Sequence, residues 1–383
     1  MKRRYRKPPA RKGSVKSQTI GFEIDHLDPL GQGVSKKAGN IAFIPGTLPG
    51  ETGTALVYKR AKGVQFAQLQ QLEKTAENRV EPECPHFSQC PGCQFLHTDY
   101  ASELAYKKTT LLRSLAALGV SEDMIDVVPA PRRLSYRNRV QLHYRHKYIG
   151  MLDTVSNEVL EIPQCKIMRT ELGAEFDRLY AGGWTKDHSG HGHCELYFKA
   201  GEVSVRWDED YAHGGFSQVY EEMNLELQQR VQTQLEDLAV KRLLDLFSGT
   251  GNLSNMYAST GGERVLIDSY FETSENVRPD NFHQMDLYDE QALSGFTRKS
   301  GVPDFDTLLI DPPRGGFPGL NHWVKSVKPR HVIYVSCNAA SLARDLQNLD
   351  TRFRFKSVQL LDLFPATSHF ETLVVLEMRK GSS

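Results

Sequence analysis

The sequence predicts an α/β protein of several domains, and three observations carry that expectation. From about residue 206 to the end, strand-like runs alternate with helix-like ones. Residues 18–72 instead hold short strands with alternating apolar positions and glycine-rich turns, and the stretch between is mixed and carries three cysteines in ten residues. At ~150 residues per domain, 383 residues agree with two or three domains. The expected division is a basic disordered arm (1–16), a small β-barrel (17–76), a central α+β domain (77–205) and an α/β domain (206–383).

Composition narrows the class. A chain 39% hydrophobic and 25% charged is neither mainly disordered nor collagen-like. Its longest apolar runs, such as Thr372–Leu376, fall far short of the ~20 residues of a membrane helix. No apolar stretch follows the charged N-terminus, so neither membrane insertion nor secretion is expected, and the protein reads as cytoplasmic. Net charge is zero but uneven: residues 1–22 carry eight Lys or Arg and no acid. Such an arm is too polar to bury itself; it suits phosphate contact, or equally a solubilising or targeting tail.

The barrel is read from strands at Ile20–Ile24, Asn40–Ile44, Thr54–Tyr58 and Val64–Leu69, because closure removes exposed strand edges. Residues 100–118 repeat apolar positions at helical spacing and stop at Gly119. Tyr136–Tyr144 alternates like a strand with Arg137 and Arg139 on one face, which suits RNA or a solvated surface equally. The His-rich run from Asp187 to Cys194 is read as an exposed loop rather than a metal site. In the last domain, Arg242–Phe247, Arg264–Asp268, Thr307–Asp311, His331–Ser336 and Val358–Leu363 read as strands, with helices at Glu222–Leu235 and Ala339–Asn348. That alternation implies a parallel sheet covered on both faces, with ligands beyond the carboxyl ends of its strands.

Those strand ends carry the chemistry. Asp245–Asn252 holds a Gly-Thr-Gly turn that lets backbone approach a ligand, and Asp268 ends the next strand where a carboxylate can hold ribose hydroxyls. The third glycine of a dinucleotide fingerprint is absent, which disfavours hydride transfer. Asp311-Pro-Pro-Arg314 is a rigid loop that holds an acid and a cation over the crevice. Cys337, at the end of the His331–Ser336 strand, reads by its position as a nucleophile rather than a buried structural cysteine, and Glu371 is a candidate general base, although a Glu at a strand start is more often a surface residue. Cys84, Cys90 and Cys93 give three soft ligands, and Cys165 is available as a fourth. Spacing alone leaves zinc and an iron–sulfur cluster open, with His86 or His97 as substitutes for Cys165 around zinc.

Taken in order, Gly46–Glu51, the four cysteines, Phe216–Val219, Asp245–Asn252, Asp311–Arg314, Ser336–Asn338 and His369–Glu371 resemble the RNA uracil-5 methyltransferases that use S-adenosylmethionine. The resemblance runs from about residue 17 onward and is closest to the branch acting on 23S ribosomal RNA. It implies that the barrel is an OB-like TRAM domain, that the cysteines hold a [4Fe-4S] cluster, and that the last domain is a Rossmann-like class I methyltransferase sheet. It places Gln218, Phe247, Asn252, Asp268, Asp286 and Asp311 at the cofactor, and Cys337 and Glu371 at nucleophile and base. It also puts Phe216, Gln218 and Asp311 at the uracil. The implied partner is RNA, 23S ribosomal or alternatively transfer RNA, with the protein a monomer; an inactive RNA-binding iron–sulfur protein is the reading from another class. Two departures stand out. Asp268 replaces the usual Glu, and the segment Ser269–Asp286 is short and contains Pro279.

Overall fold

A computed structural model describes residues 18–153, 156–188, 190–209, 217–270, 281–299, 304–349 and 351–379. The basic arm therefore lies outside the described residues, as does Phe216. The chain divides into two compact units, one of residues 1–106, 132–211 and 366–368, the other of residues 107–131, 212–365 and 369–383.

In the first unit, the strands β1 (Gln18–Glu23), β2 (His26–Leu27), β3 (Gly33–Ser35), β4 (Ile41–Ile44), β5 (Thr52–Ala61) and β6 (Val64–Lys74) form one sheet in the order β1-β5-β6-β4-β3-β2. It has six strands where the sequence suggested four or five. The alternation read from the sequence is real: every second residue of β5 from Gly53 to Val57 is buried, and Phe22, Ile24, Ile44, Ala55 and Val57 form the core. Glu51, the acid of the Gly46–Glu51 turn, is fully buried. It accepts N–H bonds from Leu48 (2.8 Å) and Ala76 (3.2 Å) and both arms of the Arg79 fork (2.5 and 2.7 Å). Burial alone would raise its pKa, but Arg79 and these amides hold the carboxyl below its ordinary value.

Next in the chain come α1 (Tyr100–Leu115) and β7 (Ile125–Val128). The helix closes through a short 3-10 turn on Gly119, whose φ of +86° is the left-handed cap expected there. A second sheet of the first unit, β10-β9-β8-β11-β12, is built from β8 (Arg139–Arg145), β9 (Tyr148–Leu152), β10 (Val159–Leu160), β11 (His191–Lys199) and β12 (Glu202–Trp207). It packs with α2 (Gly173–Tyr180) through Leu142, Tyr144, Phe176, Leu179, Trp184 and Leu196. Two expectations are corrected here. Arg139 is 1% exposed and stacks on Tyr197 at 3.9 Å, so it supports the sheet rather than facing RNA or solvent. The His-rich run is a loop only as far as Gly190: His191, His193 and the buried Cys194 lie on β11 and pair with β8, and Cys194 pairs with β12 as well.

The second unit holds an eight-stranded sheet. Its elements are β7, α3 (Glu221–Asp237), β13 (Arg242–Leu246), α4 (Asn255–Ser259), β14 (Glu263–Asp268), β15 (Phe282–Gln284), α5 (Glu290–Lys299), β16 (Thr307–Ile310), α6 (Leu320–Val327), β17 (His331–Ser336), α7 (Ala339–Gln347), β18 (Phe353–Leu361) and β19 (Glu371–Met378). The order is β15-β14-β13-β16-β17-β19-β18-β7. Strands β15 to β17 run parallel, as expected, and their near-continuous apolar runs follow from burial on both faces: all four residues of β16 are buried. The sheet is not wholly parallel, however. β19 inserts antiparallel between β17 and β18. β7 pairs parallel with β18, so residues 107–131, read from sequence with the central domain, belong to this unit. Four residues at β7 are too few to reveal their partner sheet from periodicity. Helix α6 shows the opposite case: Leu320, Trp323, Val324 and Val327 mark one buried stripe at i, i+3, i+4, i+7. Among the described residues no helix is long and apolar enough to cross a membrane.

Candidate active site

Strand order places the site. The connections leave β13 in opposite directions, toward β14 and toward β16, and the crevice at such a reversal lies beyond the carboxyl ends of these strands. The turn after β13 is held by β14. Asp268 Oδ2 accepts the Gly249 N–H at 2.8 Å, while Oδ1 accepts the Tyr270 N–H at 3.2 Å. Arg264 donates to Ser254 Oγ (2.6 Å) and to Asn255 Oδ1 (2.8 Å), and Ser254 donates to Asp245 Oδ2 at 2.5 Å. Gly251 has φ +84°, and a Cβ there would meet the Arg264 guanidinium at 2.8 Å, so only glycine fits. Phe247 adopts φ +58°, a strained value for a bulky residue, and its ring meets Phe317 edge-on at 4.9 Å and Tyr288 at 5.7 Å.

Each residue anticipated at the cofactor can now be placed. Asn252 is bound to α3: its Oδ1 accepts from Gln228 Nε2 (2.7 Å) and its Nδ2 donates to Asn224 Oδ1 (2.9 Å). Gln218 is buried before α3. Asp286 follows β15, with Oδ1 accepting the Tyr288 N–H at 2.9 Å. Asp311 is the first residue beyond β16, and pairing of Leu246 with Ile310 puts it level with Phe247.

The register of β17 and β19 does the same for the anticipated nucleophile and base. Ser336 pairs with Thr372 in an antiparallel ladder, so the next positions outward, Cys337 and Glu371, face each other across it. Glu371 is only 2% exposed, although a Glu at a strand start is ordinarily a surface residue. Burial first, and the Asp311 charge second, hold its carboxyl well above the usual range, with Arg314 opposing them. Burial and the Glu371 charge push the Cys337 thiol up to about 11, again opposed by Arg314. Burial and the charges of Asp245 and Asp268 raise Asp311 to about 7. One acid, Glu371, and one thiol, Cys337, are thus opposed by a single cation, Arg314, beside a second raised acid, Asp311.

Arg314, singled out only as part of a motif, is the residue that sequence reasoning undervalued. Its carbonyl accepts from Asn338 Nδ2 (3.2 Å), and Asn338 also caps α7 by accepting the Ala340 N–H (3.0 Å). Asp345, inside α7 and 2% exposed, accepts the Phe317 N–H (2.5 Å) and the Tyr334 hydroxyl (2.7 Å), and Arg344 donates to the Gly315 carbonyl (2.7 Å). The helix after Cys337 therefore clamps the loop that carries Arg314. Asparagine directly after a cysteine and before a helical run was the available signal.

The four anticipated metal ligands belong to the first unit. Cys90, Cys93 and Cys165 all have thiols raised mainly by burial and further by one another and Cys84, so the four lie within electrostatic reach. Cys90 Sγ accepts the Gly92 N–H at 3.4 Å, and the Ile167 and Met168 amides bond Cys165. His86, the alternative ligand, accepts the Gln164 N–H on Nε2 at 3.2 Å. Among the described residues, no group of three or more His, Cys, Asp or Glu side chains is gathered tightly enough to hold a metal ion.

Comparison with known proteins agrees with this geometry. Residues 293–379 match the family model described as tRNA (Uracil-5-)-methyltransferase, the stretch that holds Asp311, Cys337 and Glu371. A 23S rRNA (uracil(1939)-C(5))-methyltransferase RlmD from Shewanella frigidimarina is 28% identical over 94% of this chain and 96% of its own. Its counterpart in Shewanella sp. (strain W3-18-1) is 27% identical over 95% and 97%. The fold matches the crystal structure of Pyrococcus abyssi tRNA (uracil-54, C5)-methyltransferase in complex with S-adenosyl-L-homocysteine, with a TM-score of 0.71, 23% identity, and coverage of 93% of this chain and 99% of that one. Residues 293–379 thus match a tRNA (uracil-5-)-methyltransferase family model, and nearly the whole chain shares its fold with a tRNA (uracil-54, C5)-methyltransferase and is similar in sequence to 23S rRNA (uracil(1939)-C(5))-methyltransferases.

Proposed function

We propose that this protein transfers a methyl group from S-adenosylmethionine to carbon 5 of a uridine in RNA, most specifically in 23S ribosomal RNA. One observation carries the reading: the ladder register that sets Cys337 opposite Glu371, with Arg314 opposing the raised pKa of both.

Carbon 5 of uracil is a poor nucleophile and has to be activated. Attack of the Cys337 thiolate on carbon 6 forms an S–C6 bond and drives the C5=C6 electron pair toward the C4 carbonyl, giving an enolate. Bound S-adenosylmethionine would supply an electrophilic methyl group on a sulfonium, and carbon 5 would take that methyl as its bond to sulfur breaks, leaving the neutral thioether. The Glu371 carboxylate then accepts the carbon 5 proton, the C5=C6 bond re-forms, and the S–C6 bond breaks to return the thiolate. A base held above the usual carboxylate range by burial suits that step, and the Arg314 guanidinium offsets the charge of whichever partner is ionised. Asp311 and Gln218 would hydrogen-bond the uracil edge, and Phe216, outside the described residues, would be its stacking partner. Reaching a buried pair at strand ends requires the target base to leave its stack, at a cost of a few kcal/mol.

The glycine turn fits the cofactor's amino-acid and ribose ends, because a Cβ at Gly249 would meet nothing within 4 Å and Asp268 lies beside it. Gln218, Phe247, Asn252, Asp268, Asp286 and Asp311 would line this pocket. The cysteine set fits a [4Fe-4S] cluster held by Cys84, Cys90, Cys93 and Cys165. Amides aimed at two of the sulfurs favour thiolates, and thiols raised by burial need a cationic centre to ionise. The TRAM reading is supported by the six-stranded sheet of residues 18–74 and by its position ahead of the cysteine loop. Ribosomal RNA as substrate places the protein in the cytoplasm.

The test is methyl transfer from labelled S-adenosylmethionine to bulk RNA from a strain without its own uracil methyltransferases. Label recovered as 5-methyluridine from the 23S fraction is the expected result. Label confined to the transfer fraction would move the assignment to transfer RNA, and no label would overturn the enzyme reading.

A further inference from the structure

Within the first unit, Ala366–Ser368 lie against the residues that directly follow Cys93. The Gln94 and Phe95 N–H groups both donate to the Ala366 carbonyl, at 2.8 and 2.9 Å. The Gln94 side chain uses both of its ends: Nε2 donates to the Pro91 carbonyl at 2.7 Å, and Oε1 accepts the Ser368 N–H at 3.1 Å. The Ala366 N–H donates to the buried Glu103 Oε1 at 2.7 Å, and Glu103 is paired with Arg133 at 2.9 Å. Arg133 in turn donates to the Phe95 and Thr98 carbonyls (2.6 and 2.9 Å). Ala366 is fully buried at φ +67°, a left-handed conformation that a residue with a Cβ keeps only where its surroundings dictate it.

From Ser368 the chain reaches Glu371, the first residue of β19, in three steps. We infer that Gln94 is a positioning residue for the Glu371 carboxylate, acting through the backbone by tying the Cys90–Cys93 loop to the turn from which β19 starts. The inference rests on Glu371 being the base. Glu371 is buried at a strand start, so its reach is set by where that strand begins, and a misplacement of about 1 Å costs on the order of 10²-fold in rate.

The reaction sequence gives this role its own signature. Thiolate attack and methyl uptake precede proton removal and do not need Glu371. When the carboxylate is displaced, the methylated uracil stays bonded to Cys337. The electron pair of the C5–H bond cannot re-form C5=C6, the proton has no acceptor, and the S–C6 bond does not break. A Gln94 that served only the cysteine loop or RNA affinity would instead lower adduct formation or raise KM.

The full chain is compared with Gln94→Ala and Gln94→Glu on RNA and S-adenosylmethionine, with iron content and the denaturant-stable RNA–protein adduct measured alongside rates. For Gln94→Ala we expect kcat down about tenfold or more, both KM values within about twofold, unchanged iron, and a larger adduct fraction. Gln94→Glu keeps an acceptor for the Ser368 N–H and loses only the donor to Pro91, so its kcat should stay within about threefold of wild type. The inference is overturned if Gln94→Ala leaves kcat unchanged, if kcat falls without adduct build-up, or if Gln94→Glu is impaired as much as Gln94→Ala. A wild-type protein that transfers no methyl group would overturn the parent reading and this one together.

Discussion

Two regions of the molecule gather groups that burial keeps from ionising, and they do so in different ways. At the strand ends of the eight-stranded sheet, Asp311, Glu371 and Cys337 are all raised, and one cation, Arg314, opposes the rise at Glu371 and Cys337. In the cysteine loops, Cys90, Cys93 and Cys165 are raised by burial and by each other. There, main-chain N–H groups favour the thiolates of Cys90 and Cys165, and the Arg137 charge favours those of Cys93 and Cys165. The first arrangement keeps protons movable, as a reaction with a base and a nucleophile requires. The second suits a permanent occupant, because fixed amide donors favour a thiolate that never takes its proton back. The difference lies in the backbone: register between strands sets the first, and loop conformation sets the second.

The sharpest way to break the comparison is to remove the nucleophile. Cys337→Ala should leave no measurable methyl transfer while RNA binding persists in a filter or gel-shift assay; residual turnover would separate Cys337 from the chemistry. Glu371→Gln should lower turnover about 10²- to 10⁴-fold and leave a denaturant-stable adduct with RNA. Cysteine replacements in the other region should behave differently in kind. Cys93→Ser should lose iron and absorbance near 400 nm, and a variant that kept both would remove Cys93 from the ligand set.

A structural pair gives an intermediate effect. Lys107 Nζ lies 2.7 Å from Asp362 Oδ1, with both side chains essentially unexposed, and it also donates to the Phe364 carbonyl at 3.2 Å. Lys107→Met leaves Asp362 charged and buried, and should cost about 3–5 kcal/mol in denaturant unfolding.

A further expected effect is on pH dependence. The Asp311 carboxyl is raised from 3.8 to about 7, so its contribution to stability is fully present below pH 3.8 and is lost as pH rises through about 7. Asp311→Asn should flatten the decline in melting temperature between about pH 4 and 7; an unchanged slope would place the titration elsewhere.

The parts legible in the sequence are those fixed by local pattern. The strands of the second unit were readable because burial on both faces leaves uninterrupted apolar runs, and the chemistry was readable because it sits at their ends. What escaped was set by pairing over long distances. β7 joins a sheet whose next strand in space, β18, lies more than two hundred residues on in the chain. Arg139 alternates like a surface residue but is covered by Tyr197, and the His191–His193 end of a run that looks like a loop pairs with β8 as the start of β11. Arg314 and Gln94 escaped for the same reason, since neither residue type carries its meaning without the partners that folding brings to it.

The account stands on covalent attack by Cys337, and RNA carrying 5-fluorouridine tests it most directly. Fluorine at carbon 5 cannot leave as a proton does, so the adduct formed after methyl uptake has no route to release. With S-adenosylmethionine present, the account predicts a stable complex whose mass is protein plus RNA plus one methyl group, with the nucleotide mapped to the peptide containing Cys337. A protein that methylates ordinary RNA yet forms no such complex, or forms it at another residue, would contradict the mechanism.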